Sequence, residues 1–348
     1  MDRRSFNKLL PYTLGVTMFP FSTNAGNLNH SLDSHGIIGH GDFRYKVDTQ
    51  WGVQDSGKIP VNDCHEMVQD KRGNLILLTN ETKNNVLIYD RSGKVLKTWG
   101  TEFPGAHGLT ISQEGEEEFL FITDHDRNQV FKTTLDGRIL MTINYPHETG
   151  KYEKREKFRP TEIAVAPNGD FYIADGYGEQ YILHYDYKGT LLNIFGGRGD
   201  SGQFFNNAHG ICLDNRNKDN PTLLISARVQ NALKRFTLQG DYIETIKLPG
   251  AFISRPVIDE ENVYTAVLVS KMPWNSESGF VLILDKNNEV VSAPGGGHPS
   301  YENGNLNKLV QKGNTFKHPH DVCIDADKNL YIPQWSSGKT YPIKLERI

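Results

Sequence analysis

Residues Asp175–Asp214 read DGYGEQYILHYDYKGTLLNIFGGRGDSGQFFNNAHGICLD. Two apolar runs flank the Lys188-Gly189 turn, a long polar loop follows, and a third apolar run closes on Asp214. Short runs rich in Ile, Leu, Tyr and Phe around a glycine turn are the signature of β-hairpins. The stretch therefore holds the outer half of one four-stranded unit and the first strand of the next. It also places Tyr177 directly after Asp-Gly and His209 directly before Gly-Ile.

Outward from this stretch the same unit recurs. A histidine or small polar residue opens an apolar strand, a Gly or Asn turn follows, and a second strand and a loop lead on to an outer hairpin. HEMVQDKRGNLILLTN, HGLTIS, TEIAVAPNGDFYIADG, HGICLD, SRPVIDEENVYTAVL and HDVCIDADKNLYIPQW open the six copies. Their first positions are His65, His107, Thr161, His209, Ser254 and His320, spaced 42 to 66 residues apart. A period in this range with four strands per unit predicts an all-β, six-bladed β-propeller of four-stranded antiparallel blades. One domain over residues 40–348 is expected, with a strand near Phe43–Trp51 completing blade six. Blade five carries the weakest pattern. The insertions Tyr145–Arg159 and Pro294–Lys317 are expected to shape the mouth of the ring.

Composition narrows the function classes. The 348 residues carry 38 Lys and Arg against 42 Asp and Glu, a net charge of −4. No basic stripe interleaved with aromatics appears, so nucleic acid is excluded as a partner. Three cysteines without a Cys-x-x-Cys pair argue against a disulfide framework. No apolar run is long enough to span a membrane. Asp2-Arg3-Arg4-Ser5-Phe6-Asn7-Lys8, with the apolar Leu9–Phe21 behind it, reads as a twin-arginine-type signal peptide over residues 1–25. Periplasmic or secreted location follows from that reading, and a monomer is expected.

In a propeller the first residues of the inner strands meet around the axis. His107, His209 and His320 come from alternating blades, so three imidazoles converge with near-threefold geometry. Three neutral imidazoles with an open fourth position suit a catalytic Zn2+, which acidifies water or polarises a substrate oxygen. His65 shares the register as a further ligand or a base. Tyr177, on a blade shoulder, is placed to act as a base if a nearby cation lowers its pKa. Arg228 can hold a carboxylate in bidentate fashion or pair with a neighbouring blade. Trp51, Trp274 and Trp335 offer stacking surfaces or blade-edge packing. Cys212 and Cys323 read as small buried residues, and His318, off the register, as a loop residue.

Between about Val61 and Trp335 the chain resembles NHL-repeat propellers, and among them peptidyl-α-hydroxyglycine α-amidating lyase. The pieces FPGAHGLTIS, IADGYGEQYILHYDYKGTLLNIFG, GQFFNNAHGICLD, ISARVQNALKRF and HPHDVCID carry this resemblance. It implies His107, His209 and His320 as zinc ligands, Tyr177 as general base and Arg228 as an active-site arginine. It further implies Asp321 as a ligand of a structural Ca2+, with main-chain help near Leu109 and Met67. The second arginine of the family falls at Asn80 here, and a disulfide cysteine at Gly178.

These departures point away from a peptide. The expected function is an exported zinc-dependent lyase performing an elimination on a small polar substrate, a uronate-containing acidic oligosaccharide. Tyr177, Arg228 and His65 are its expected catalytic residues, and Asn80, Trp274 and Trp335 face its substrate. The alternatives are the amidating lyase activity itself, which cleaves a carbon–nitrogen bond and releases glyoxylate, and a non-catalytic NHL binding propeller.

Overall fold

The computed structural model describes residues 36–348, which form six antiparallel sheets arranged as the blades of a propeller. The signal-peptide reading over 1–25 lies outside the described residues. Blade one comprises Cys64–Gln69, Leu75–Thr79, Val86–Tyr89 and Val95–Trp99. Residues 175–214 supply the outer strands of blade three, Tyr181–Tyr185 and Leu191–Gly196, and the first strand of blade four, which comprises Ala208–Asp214, Thr222–Ala227, Ala232–Thr237 and Tyr242–Lys247. Blade five is a complete four-stranded sheet in spite of its weak sequence pattern. Helical content among the described residues is limited to three 3-10 turns, and no helix there is long and apolar enough to cross a membrane.

Burial explains the patterning of the strands. The second strand of blade four, TLLISA, is buried at every residue because it packs against a blade on each face. The outermost strands face solvent on one side, which leaves Leu96, Leu192 and Ile243 about half exposed. The apolar clusters lie between blades: Leu224 and Leu233 of blade four pack with Val263 and Leu282 of blade five.

Closure follows the expected route. Phe43–Asp48 pairs antiparallel with Ile343–Arg347, Tyr45 opposite Arg347 and Asp48 opposite Lys344. Ile37–His40 adds a fifth strand outside it. Trp51 lies beyond this strand and is no stacking platform. It is buried between Tyr89 and Tyr331, its indole donating to the Arg91 carbonyl at 3.1 Å.

Near the axis four of the six inner strands share one irregularity. Pairing with the second strand slips between Cys64 and Glu66, between Ala106 and Leu109, between Ala208 and Ile211, and between Ile253 and Pro256. A bulge of this kind aims consecutive side chains to the same side. In these four blades the residue at the register position and the one after it therefore both meet the axis, and in blades three and six Glu162 and Asp321 reach it beside Arg255. The second set reads Glu66, Gly108, Glu162, Gly210, Arg255 and Asp321.

The glycines in this second set admit their neighbours. A Cβ at Gly210 would stand 2.4 Å from the Arg255 Cα, and one at Gly108 would stand 2.5 Å from the Thr161 carbonyl oxygen. Backbone cannot yield there as a flexible side chain would. Gly210→Ala is therefore expected to cost about 2–3 kcal/mol of stability by overpacking. Gly297→Ala, whose Cβ would meet nothing closer than 3.8 Å, should stay within about 0.5 kcal/mol of the parent. Urea titrations of the two variants side by side check this.

Candidate active site

Four imidazoles crowd the axis. His107, His209 and His320 form a near-equilateral triangle, with ring centroids 4.7, 4.8 and 5.0 Å apart. His65 lies outside the His107–His320 edge, 4.8 Å from each. His65, His107 and His320 bring one ring nitrogen each within 4.8 Å of one another, while His209 turns its Nε2 toward the Tyr177 hydroxyl at 3.1 Å. All four rings are almost fully buried.

Main-chain carbonyls at two register positions hold this cluster in place. The Thr161 carbonyl accepts from His107 Nδ1 at 2.8 Å, and the His65 carbonyl accepts from His320 Nδ1 at 3.0 Å. Donating through Nδ1 leaves the Nε2 lone pair of each ring free, which is how carbonyl partners orient metal-binding histidines. Ser254, at the register position of blade five, accepts from Arg228 through its hydroxyl at 2.8 Å, and the Ile253 carbonyl accepts from Arg228 Nε at 2.9 Å.

Burial is the first cause that lowers the basicity of every ring. His65 falls to about 3, with His125 and Arg228 opposing its charge as well. His107, His209 and His320 are held well below the ordinary histidine value, each opposed in addition by a neighbouring imidazole or by Arg228. Four neutral rings therefore share one buried space, and Nδ1 of His65 and of His209 has no hydrogen-bond partner. Orphaned polar atoms of this kind are rare without a ligand. The donor set fits a divalent metal that accepts imidazole nitrogen.

Tyr177 bridges this cluster to the mouth. Its hydroxyl is 3.1 Å from Nε2 of both His107 and His209. Burial raises its pKa, and Arg228 and then Arg159 offset part of the rise. The expectation of a lowered value is thus corrected for the protein alone: desolvation of the phenol, with the Glu66 carboxylate adding to the rise, outweighs the two guanidiniums. Arg228 is pulled down to about 10 by its own burial, opposed by Tyr177, and stays charged at neutral pH.

Above the cluster opens a cavity of about 450 Å³. Tyr177, Arg228, His320, Trp274 and Trp335 line it, and so do Arg159 and Arg198. Both of the latter escaped the sequence reading because they stand in irregular loops. Arg159 ends the insertion after blade two, its guanidinium 3.0 Å from His125 Nδ1 and 5.9 Å from the Tyr177 ring centroid. Arg198 donates to the Gly178 carbonyl at 2.8 Å. His125, with its ring 5.5 Å from Tyr177, was missed for the same reason.

Other expectations change. Asn80 does not line the cavity: its amide oxygen accepts from Asn62 Nδ2 and from the Asp63 N–H, and its amide nitrogen donates to the Asp63 carboxylate. His318 is buried, its Nε2 accepting from the Glu277 N–H. Of the two insertions, Tyr145–Arg159 reaches the cavity through Arg159, whereas none of Pro294–Lys317 lines it. A cysteine at Gly178 has no room, since a Cβ would meet the Asp175 carboxylate at 2.1 Å and the Lys157 carbonyl at 2.2 Å. The three cysteines are unpaired, as their reading implies.

The calcium position is filled by protein. Asp321 Oδ1 and Oδ2 accept from the Arg255 guanidinium at 3.1 and 2.6 Å. The Leu109 and Met67 carbonyls accept from the same guanidinium at 2.7 and 3.2 Å. A cation of the protein's own therefore covers all three groups, and a Ca2+ does not fit there.

No family model matches the chain. It is 29% identical over 267 residues to peptidyl-alpha-hydroxyglycine alpha-amidating lyase 1 of Drosophila melanogaster, covering 70% of this chain and 45% of that protein. A probable lyase of the same name from Caenorhabditis elegans is 33% identical over 118 residues, 33% of this chain and 32% of that one. The chain thus spans less than half the length of these curated relatives. Among solved structures, a gluconolactonase from Xanthomonas campestris aligns with a TM-score of 0.58 at 12% identity, over 90% of this chain and 92% of that one. A streptogramin B lyase aligns at 0.55 and 14%, over 82% and 94%. At these identities the two structures speak for the fold alone. The chain is a six-bladed β-propeller whose curated relatives in sequence include proteins named peptidyl-α-hydroxyglycine α-amidating lyase.

Proposed function

We propose that this protein is a metal-dependent lyase that cleaves the carbon–nitrogen bond of an N-acylated α-hydroxyglycine, releasing an amide and glyoxylate. The observation that carries this reading is Tyr177 held between two imidazoles at the floor of an arginine-lined cavity, together with sequence similarity to lyases of that name. The uronate reading loses its ground. It rested on the export signal, the aromatic residues of the mouth and a changed substrate shell, of which Asn80 was a part, and Asn80 is spent on Asn62 and Asp63. The relatives in sequence named above are amidating lyases.

His107, His209 and His320 would hold the metal, on the side of the cluster that carries Tyr177 and Arg228, with His65 behind the His107–His320 edge. Zinc suits three neutral imidazoles, and when bound it supplies a positive charge that polarises oxygen and eases loss of a proton from a nearby hydroxyl. The remaining work falls to the chain. Arg228, with Arg198 and Arg159 nearby, holds the substrate carboxylate by charge-assisted hydrogen bonds. Trp274, Trp335 and Leu268 receive the apolar part of the acyl group.

The reaction moves one proton. As the carbinol O–H is lost and C=O forms, the electron pair of the C–N bond leaves with nitrogen, which takes up a proton. Tyr177 can accept the first proton and return it to the amide nitrogen, and Arg228 stabilises the phenolate between the two events. Because the phenol is hard to ionise in the protein alone, this step depends on the added positive charge of a loaded site.

Two outcomes are expected. Purified protein should carry about one zinc per chain, retained in His65→Ala and lost in His107→Ala, His209→Ala and His320→Ala; full occupancy in all four variants would sink the ligand assignment. The parent should release glyoxylate from α-hydroxyhippurate, with kcat reduced about 100-fold or more in Tyr177→Phe at unchanged zinc content. Arg228→Gln should lose roughly 10- to 100-fold in kcat/KM. Silence toward α-hydroxyhippurate, with an unsaturated product from a uronate oligosaccharide instead, would return the balance to the sugar.

A further inference from the structure

One layer beneath the histidines the axis is closed by charge. Arg255, from the inner strand Phe252–Asp259 of blade five, is buried to 7% exposure among Glu66, Glu162 and Asp321, of which none exceeds 1%. Its guanidinium takes Asp321 of blade six in bidentate fashion and donates to the carbonyls of Leu109 in blade two and Met67 in blade one. It stands 3.4 Å from Glu66 Oε2 and 3.8 Å from Glu162 Oε2. Glu162 Oε2 has no hydrogen-bond partner. Of the remaining two residues of the layer, Gly210 leaves room for the backbone of Arg255 and Gly108 for the backbone of Thr161 and Glu162.

Without the guanidinium this layer is a buried cage of hard oxygen donors: three carboxyl groups and two main-chain carbonyls drawn from four blades. That is a donor set for Ca2+, which takes six to eight oxygens at flexible geometry. We propose that Arg255 is the protein's built-in substitute for an axial divalent cation. The fold is consequently indifferent to calcium, and removing the guanidinium converts the cage into a calcium site. The inference stands apart from the lyase reading, because it concerns the layer below the histidines and is measured by stability and ion binding.

The other anchors of the cage make the substitution specific to this position. Asp321 Oδ2 also accepts from the Met67 N–H at 3.0 Å, and Glu66 Oε2 from the Leu109 N–H at 2.6 Å. These bonds hold the carboxylates in place when the guanidinium is gone, so the oxygens remain convergent. Burial pushes Glu66 well above the usual carboxylate range and raises Glu162 as well, and Arg255 opposes both rises; without the guanidinium that opposition is gone, and breaking a buried ion pair from one side is strongly destabilising.

The test compares the parent, Arg255→Ala and the milder Arg255→Gln in calcium-stripped buffer that contains zinc, so that the histidine site stays loaded. Thermal unfolding and calcium titration are read on each. The parent should keep its Tm within about 1 °C between calcium-free buffer and millimolar CaCl2 and bind no calcium tightly. Both variants should melt about 5 °C or more below the parent without calcium. They should recover at least half of that loss with calcium, through linkage to one bound ion per chain, and recover less with Mg2+. If Arg255→Ala fails to fold in calcium-free buffer, its refolding yield with and without CaCl2 is the readout, and a calcium-dependent yield supports the proposal. A parent stabilised by several degrees in calcium overturns it. Variants that gain neither Tm nor yield from calcium overturn it as well.

Discussion

A single guanidinium ties the ring together. A propeller must join its last blade to its first around an axis where the polar ends of six inner strands converge, and apolar packing cannot satisfy that convergence. Arg255 meets it with one planar group of five N–H donors, spent on Asp321 and on the Leu109 and Met67 carbonyls and set against Glu66 and Glu162. The apolar clusters each bridge neighbouring blades, so they fix local contacts. The charged layer reaches blades one, two, three, five and six at once. Such an arrangement is all-or-nothing, because losing any partner leaves the others buried without compensation.

This knot frees the layer above it for chemistry. Because the bulges in the inner strands aim two successive residues at the axis, the structural and reactive layers are adjacent in sequence at His65-Glu66, His107-Gly108, His209-Gly210 and His320-Asp321. Cohesion rests on the second residue of each pair, so the first need not be satisfied by protein. Nδ1 of His65 and of His209 is left without a partner, and the rings are kept neutral by burial and by Arg228. A cluster that also had to hold the ring closed would have had its lone pairs consumed.

The fold was legible from sequence because it repeats. Six copies of one strand pattern mark the inner strands, and the alignment of His107, His209 and His320 on that register places them around one axis. What escaped reading lies off the repeat. Glu66 and Arg255 look like ordinary strand residues unless the bulges are known, since a regular strand would turn them away from the axis, and Glu162 looks like the ordinary start of a regular strand. Writing out the residue after each register position would have shown three acids, one arginine and two glycines in one ring. Arg159, Arg198 and His125 sit in loops whose course no periodicity predicts. Asn80 was misread for the converse reason: its place at the end of a strand is correct, but Asn62 and Asp63, which absorb its amide, come from a loop.

The positive charge of the cavity also has a consistent direction. The resemblance places one arginine on blade one and another on blade four. Here the blade-one position is a neutral amide facing away from the cavity, while Arg159 and Arg198 flank Tyr177 from blade three. Both meet the connection that carries Tyr177: Arg198 donates to the Gly178 carbonyl, and the Arg159 carbonyl accepts from the Tyr177 N–H. There Gly178 packs against Asp175 and Lys157, leaving no room for the cysteine of the resemblance. The positive charge of the cavity, Arg159, Arg198 and Arg228, thus comes from the side of blades three and four around one phenol. A substrate anion would therefore lie toward blades three and four, directly over Tyr177, with its apolar end against Trp274 and Trp335 on the opposite wall.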